Sequence, residues 1–401
     1  MTRADAGGRP GPEVRPLRVL CVTTSYPRQA GDFTGHFVHA LAREVASLGH
    51  AVTVLTPHAA GLAEEETVEG VRVLRFRYAP ASFERVAYGD GIPSNVRRDP
   101  LALLGAPGFA LALRSCVREH AADADVVHVN WAPTAALAGA ALAGRPVVLT
   151  LHGSDTTLAR RGGLWRRLLV SGLRRAARVI AVSREQVAFL RSSELWAGAI
   201  DVLPSGVAPD LVDRERPPRD PDEPFTFLYA GRLIESKGVV ELVTAFIRLT
   251  VTHDVRLRIA GKGPAEGLLR ERLVAGGCAG QVEFLGEVVH ERALELMTQA
   301  DAFVLASHGE GSPLSVTEAL ALGTPVVGTR VGALPELLGD DGLLVDAKDA
   351  IALAHAMGRL VDDAALRGRL SREGRERVRA RYTWPAVARE TVRVYREATG
   401  A

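Results

Sequence analysis

Two kinds of apolar pattern alternate along the chain. Short, β-branched runs come first: LRVLCVTT (17–24), AVTVLTP (51–57), VRVLRF (71–76), VVHVN (126–130), PVVLTLH (146–152), RVIAVS (178–183) and DVLPSG (201–206). Most are apolar without interruption, which predicts strands buried on both faces, as in a parallel sheet covered by helices. Between them lie longer stretches with helical spacing. After the first run, Phe33, Phe37, Leu41, Val45 and Leu48 recur at three- and four-residue steps, and Gly49 supplies a stop. The alternation breaks at DRERPPRDPDEP (213–224), a charged, proline-rich stretch that no strand can run through. It then restarts with FTFLYAG (225–231), VRLRIAG (255–261), VEFLG (282–286), AFVLAS (302–307), PVVGT (325–329) and GLLVD (342–346). One α/β architecture is used twice, without detectable sequence repetition. The expected boundaries are a disordered tail over 1–16, a first domain over 17–206, a linker over 207–224, a second domain over 225–383, and a C-terminal helix over 384–401 packing back towards the first domain.

Two parallel-sheet domains in tandem imply a cleft, and ligands of open parallel sheets bind outside the carboxyl ends of the strands. The loops that leave the strands therefore carry the chemistry. In HGEGSPLSVTEALALGTPVVGT (308–329), Ser312 is a suitable N-cap and Pro313 a suitable first helical residue, with Gly323 as the stop. The predicted helix, 313–322, would aim its free amides at the cleft, where they suit an anion. Glu310 beside that helix start either stabilises the helix electrostatically or accepts paired hydroxyls, as on a sugar or ribose. Glu318 lies inside the helix among small apolar residues, so if buried it needs a partner, either ligand hydroxyls or an internal arginine. In YAGRLIESKG (229–238), Arg232 and Lys237 flank a polar turn after the first strand of the second half. Two cations, a helix start and two hydroxyl acceptors together describe a site for a sugar joined to a nucleotide through diphosphate.

Composition narrows the classes. The chain has 401 residues, 47% hydrophobic and 24% charged, enough for two ordinary globular domains. A net charge of +2 gives no global field for nucleic acid. Only three of the basic residues are lysines (Lys237, Lys262 and Lys348). Three scattered cysteines form no metal or disulfide framework and fit a reducing cytosol. The first sixteen residues lack the apolar core of a secretion signal, and no uninterrupted apolar run of about 18 residues is present, so a membrane span is not expected. The expected location is cytoplasmic, with the inner face of the membrane as an option. That option rests on RRGGLWRRLLVSGLRRAAR (160–178), which reads either as a solvated helix with one face on the core or as a peripheral membrane-surface helix suited to a lipid-linked acceptor.

The E-x7-E element of Glu310 and Glu318, followed by ALALGTPVV, together with GRLIESKG, AGKGP (260–264), VEFLG and HGSD (152–155), resembles the family 4 retaining glycosyltransferases. The resemblance runs from about Leu17 onwards. It implies a GT-B fold, in which two Rossmann-like, doubly wound parallel-sheet domains face a central cleft, and transfer of a sugar from a nucleotide-diphosphate sugar to a hydroxyl acceptor. In the family, the residue matching Glu310 contacts the donor sugar, the one matching Glu318 holds the ribose, and those matching Arg232 and Lys237 bind the diphosphate. The donor set implied here is Arg232, Lys237, Glu310, Gly311, Leu314, Ser315 and Glu318, with Leu285 and Val288 at the base-binding edge. His152, where a strand meets the cleft, resembles the family's histidine near the reaction centre, although a lone strand-end histidine is also commonly structural. Asp155 would orient that histidine or the acceptor. Gly31 and Gly35, in the loop after the first strand, allow close backbone approach to phosphate or acceptor. Gly206 matches a hinge-proximal glycine.

The catalytic candidates are His152, Glu310, Arg232 and Lys237. The partners are a nucleotide sugar, with a UDP- or GDP-sugar favoured, and a hydroxyl-bearing acceptor; no cofactor is implied. Asp123-Ala-Asp125 has the form of a metal-binding D-x-D, but it sits before a first-domain strand and reads as a loop, so no metal is expected. A nucleotide-sugar epimerase or hydrolase on the same scaffold, and a two-domain binding protein that closes on a small ligand, remain as alternatives. A nicotinamide enzyme is disfavoured because no G-x-G-x-x-G follows the first strand of either half. The nucleotide, sugar, acceptor and oligomeric state are not encoded legibly, and the acceptor loops, roughly 64–106, carry no recognisable code.

Overall fold

The computed structural model describes residues 15–29, 32, 34–88, 92–220, 222–339 and 342–400. The tail through residue 14, Gly31 and Phe33 lie outside the described residues. The first half contains β1 (Arg18–Val22), β2 (Ala51–Pro57), β3 (Glu65–Val68), β4 (Val71–Phe76), β5 (Val126–Asn130), β6 (Val147–Leu151), β7 (Arg178–Ala181) and β8 (Ile200–Val202). They form one sheet in the order β3-β4-β2-β1-β5-β6-β7-β8. The second half contains β9 (Phe225–Ala230), β10 (Val255–Ala260), β11 (Val282–Gly286), β12 (Ala302–Leu305), β13 (Val326–Thr329) and β14 (Leu343–Val345), ordered β11-β10-β9-β12-β13-β14. All pairings are parallel except β3 with β4. β5 and β6 are buried along their whole length, as uninterrupted apolar runs require.

The sequence reading missed β3. Its segment, EETV, has no buried residue, because it is an edge strand paired on one side only. A hairpin holds it: Glu69 and Gly70 have φ of 47° and 80°, the left-handed pair that a tight two-residue turn needs. The predicted strand over 201–206 ends earlier, at Val202, because Pro204 follows.

The C-terminal helix Trp384–Thr399 leaves the second sheet and packs on the first, where Ala388, Val392 and Tyr395 join Val19, Val54, Val126 and Val148 in one core cluster. The chain passes from one half to the other side by side with its return. Val207 N–H donates to Tyr382 O and Trp384 N–H to Val207 O, each 2.9 Å. Gly206 lies against Trp384 here, where a Cβ would come within 2.9 Å of the indole. The segment after Val207 is fastened to the second half. Arg216 donates to the carbonyls of Thr298, Ala300 and Gly323, and Arg379 to Val212 O and Asp213.

The stretch over 160–178 holds one helix, Gly163–Leu173, which starts after Gly162 and buries Leu169, Gly172 and Leu173. A different stretch, Pro100–Ala121, is long and apolar enough by length and composition to cross a membrane, which corrects the expectation that no such stretch exists. One of its faces, Phe109, Leu113, Val117 and Ala121, is buried in the first core. The sequence reading passed over it because Arg114 interrupts the apolar run.

Burial of the C-terminal helix includes a polar contact. His128, inside β5, is hydrogen-bonded through Nδ1 to Tyr395 Oη and through Nε2 to Thr150 Oγ1, both at 2.7 Å. Burial pushes its imidazole down to about 3, so it is neutral. Tyr395→Phe strands one buried ring nitrogen and should cost about 1–3 kcal/mol of unfolding free energy in a denaturant titration. A loss below 0.3 kcal/mol, an approximate detection limit, would mean this contact does not hold the helix.

Candidate functional site

The site grows from the exits of β9 and β12, which are neighbours in the second sheet. β9 leads through Gly231 and Arg232 into the short turn Glu235–Lys237, and Gly238 (φ 63°) then opens the helix Val239–Leu249. A Cβ on Gly238 would collide with Ala306 O, so this glycine lets the turn lie against the exit of β12. Lys237 Nζ consequently reaches Glu310 Oε1 at 2.6 Å. The Glu310 side chain is 8% exposed, and Ser307 Oγ donates a second hydrogen bond to the same oxygen at 2.6 Å. Burial of that carboxylate is tolerable only because a cation and a hydroxyl are on it. Arg232 is exposed. Its carbonyl accepts Tyr229 Oη–H at 2.8 Å, and its guanidinium has no partner among the described residues.

The helix after β12 spans Leu314–Ala321, one residue later than predicted, and Pro313 occupies the capping position. Ser312 is therefore not its N-cap. Ser312 Oγ instead accepts the Ser205 N–H from the first half at 2.8 Å. The first intrahelical bonds run from Val316 and Thr317 to Pro313 O, so the amides of Leu314 and Ser315 precede them. Glu318 is buried, and its partner is neither an arginine nor empty space: Oε1 is hydrogen-bonded to His290 Nε2 at 2.8 Å. His290 opens the helix that follows β11. Leu285 and Val288, half-buried, flank the same exit.

The first half contributes the opposite wall. His152, just after β6, bonds through Nε2 to Asn130 Oδ1 at 2.9 Å and packs against Phe37, ring centroids 4.9 Å apart. Burial draws its imidazole down to about 4. Asn130, the last residue of β5, was missed by sequence reasoning, although a polar residue ending a fully apolar run was a usable signal. Asp155 does not touch the imidazole. Its carboxylate accepts the backbone N–H of His152 at 2.8 Å and of Ala132 at 2.6 Å, tying together the exits of β5 and β6. Gly35 (φ 68°) faces Ser25 O, where a Cβ would clash, so its freedom lets the chain's own turn close. Asp125, of the D-x-D, accepts from Arg18 N–H at 2.8 Å and from the Arg18 guanidinium, and braces the start of β1.

The two walls meet backbone to backbone. A Cβ on Gly153 would stand 2.6 Å from Gly311 Cα, and one on Gly311 would stand 2.6 Å from His152 O. His152 and Glu310 thus sit on adjoining loops whose contact only glycines permit. Gly332 N–H to Glu185 Oε2 (2.7 Å) and Arg184 N–H to Glu336 Oε1 (2.6 Å) also join the halves. Among the described residues, no group of three His, Cys, Asp or Glu side chains could hold a metal ion.

Comparison with known proteins bears on this arrangement. The family model for glycosyl transferases group 1 matches residues 224–363, and that for glycosyltransferase family 4 matches residues 34–211. The glycogen synthase of Mycobacterium tuberculosis (strain ATCC 25618 / H37Rv) is 31% identical over 94% of this chain and 94% of its own length. The chain belongs to the glycosyltransferase family. It is a glycosyltransferase, an enzyme of class EC 2.4, that uses a nucleotide sugar. Among solved structures, sucrose-phosphate synthase from Thermosynechococcus elongatus superposes with a TM-score of 0.75 at 23% identity, covering 96% of this chain and 99% of that one. Anabaena Alr3699/HepE, solved in complex with UDP, gives 0.69 at 19% identity, covering 95% and 100%. The fold of this glycosyltransferase is GT-B.

Asp155 makes the site sensitive to pH. Burial raises its carboxyl to about 6, against the two backbone N–H bonds that lower it. A raised folded value means that the stabilisation is complete below the unfolded value near 4 and is lost as pH rises through 6. The unfolding free-energy gap between wild type and Asp155→Ala should therefore narrow from pH 4 to pH 6.5, by roughly 2–3 kcal/mol. A gap that widens over that interval contradicts this assignment.

Proposed function

We propose that this glycosyltransferase moves a sugar from a UDP- or GDP-linked donor to an acceptor hydroxyl with retention at the anomeric carbon, and without a metal ion. The observation that carries the reading is the Lys237–Glu310 pair at the base of the cleft, opposite His152. In the free protein the two charges satisfy each other. With donor bound, Lys237, Arg232 and the amides of Leu314 and Ser315 hold the diphosphate, and Glu310 accepts hydroxyls of the sugar, with Gly311 leaving room for it. Glu318 exchanges His290 for the ribose, and Leu285 and Val288 border the base. The complex of Anabaena HepE with UDP supports a uridine nucleotide as the first to try.

The chemistry follows from charge. As the bond between the anomeric carbon and the diphosphate oxygen breaks, its electron pair stays on the diphosphate. Lys237, Arg232 and the helix amides stabilise that developing charge, the role a metal plays elsewhere. The acceptor oxygen attacks from the face the leaving group vacates, and its proton passes to a leaving phosphate oxygen. This route needs no carboxylate nucleophile placed about 5 Å from an acid partner. His152, kept neutral by burial and held by Asn130, lies beside the sugar, and Asp155 acts as a positioning residue through the backbone of its loop.

Lys237→Ala should lower kcat by roughly 10²-fold or more with donor and acceptor both supplied. Turnover should survive EDTA, and NMR of the product should show the donor's anomeric configuration. Unchanged kinetics in Lys237→Ala, or an inverted product, would overturn the proposal. Because the variant leaves a buried glutamate with only Ser307, its thermal midpoint is the control that separates lost chemistry from lost folding.

A further inference from the structure

Away from the donor cleft, beside the paired crossing segments, the two halves enclose a second cavity of about 610 Å³. Four arginines line it: Arg184 opens a helix of the first half, Arg377 and Arg381 come from the end of the long helix Ala364–Arg381, and Arg389 comes from the C-terminal helix. None of the four guanidiniums has a hydrogen-bond or ion-pair partner among the described residues. Arg184, Arg381 and Arg389 are exposed and served by solvent, whereas Arg377 is half-buried.

The two carboxylates that also line the cavity do not neutralise the arginines. Glu390 is paired with Arg393 at 2.9 Å, and Glu336 Oε1 takes the backbone N–H of Arg184. One buried donor on the wall, Arg377 Nε, has no hydrogen-bond partner among the described residues. A buried donor left unmade costs about 1–3 kcal/mol, and an oxyanion in the cavity supplies the acceptor it lacks. Unpaired guanidiniums converging on one space bind oxyanions, and phosphate above all, because their planar forks donate in pairs to its oxygens. The volume suits a small molecule.

We propose that this cavity binds a phosphate-bearing small molecule and that its occupancy bears on how the halves are held together. Arg184 belongs to the first half, Arg377 and Arg381 to the second, and Arg389 to the helix that crosses between them. A dianion touching all three segments favours the arrangement that brings them together, and so shifts any equilibrium between open and closed clefts. It also lies directly on the Arg184–Glu336 bond that joins the halves. The site is separate from the donor cleft and does not depend on the donor assignment.

Inorganic pyrophosphate is the probe, titrated calorimetrically into the full chain at fixed salt. Saturable binding should persist in Lys237→Ala, whose cleft is disabled, and should weaken at least about tenfold in Arg381→Gln and in Arg389→Gln. Both arginines are exposed, so these two variants should melt as wild type does, and their melting curves serve as the folding check. Binding that is lost in Lys237→Ala yet intact in both arginine variants places the anion in the donor cleft and overturns the proposal. Absence of binding to wild type overturns it as well.

Discussion

The floor of the cleft is a contact between two backbones. Gly153 and Gly311 approach so closely that a methyl group on either would force the halves apart. That constraint brings the loops that carry His152 and Glu310 together. It also explains why glycine stands in both HGSD and HGEG: each loop must turn its side-chain-free face towards the other. The ion pair of Lys237 with Glu310 is the second consequence, because Gly238 allows the β9 turn to lie on the β12 exit in the same way. A buried carboxylate must have a partner, and here the partner is a cation that a diphosphate can recruit.

Binding in such a site is an exchange of partners. In the free protein Glu310 is held by Lys237 and Ser307, and Glu318 by His290. In the donor complex we propose, an anionic centre with hydroxyls on both sides would replace each internal contact by one of similar kind. The polar groups are thereby kept satisfied before and after, which avoids the desolvation cost of an empty charged cleft. The same accounting marks the arginine-lined cavity beside the crossing, where Arg377 Nε has no partner among the described residues.

Much of the fold was legible because parallel sheets write themselves locally. Thirteen of the fourteen strands among the described residues announce themselves as apolar runs between turn residues. β3 did not, because its segment, EETV, carries two glutamates and no apolar run. The site was legible in its residue types and not in its pairings. Arg232, Lys237, Glu310 and Glu318 stood out as charged groups at strand exits. His290, the partner of Glu318, and Asn130, the partner of His152, did not, because each pairing joins segments, 28 and 22 residues apart, that only the sheet order brings together.

The chain's own pattern determined that there are two parallel-sheet halves, where the loops leave them, and which charges those loops carry. These are properties of burial period and turn chemistry within a few residues. Only the tertiary structure decided that Ser312 serves the other half instead of capping its helix, that Asp155 holds a backbone and not an imidazole, and that His128 and Tyr395 bind the last helix to the first sheet. A side chain's intrinsic preference says what it can bond. Which donor or acceptor lies within 3 Å of it is fixed by packing between segments up to 267 residues apart, and no local pattern carries that information.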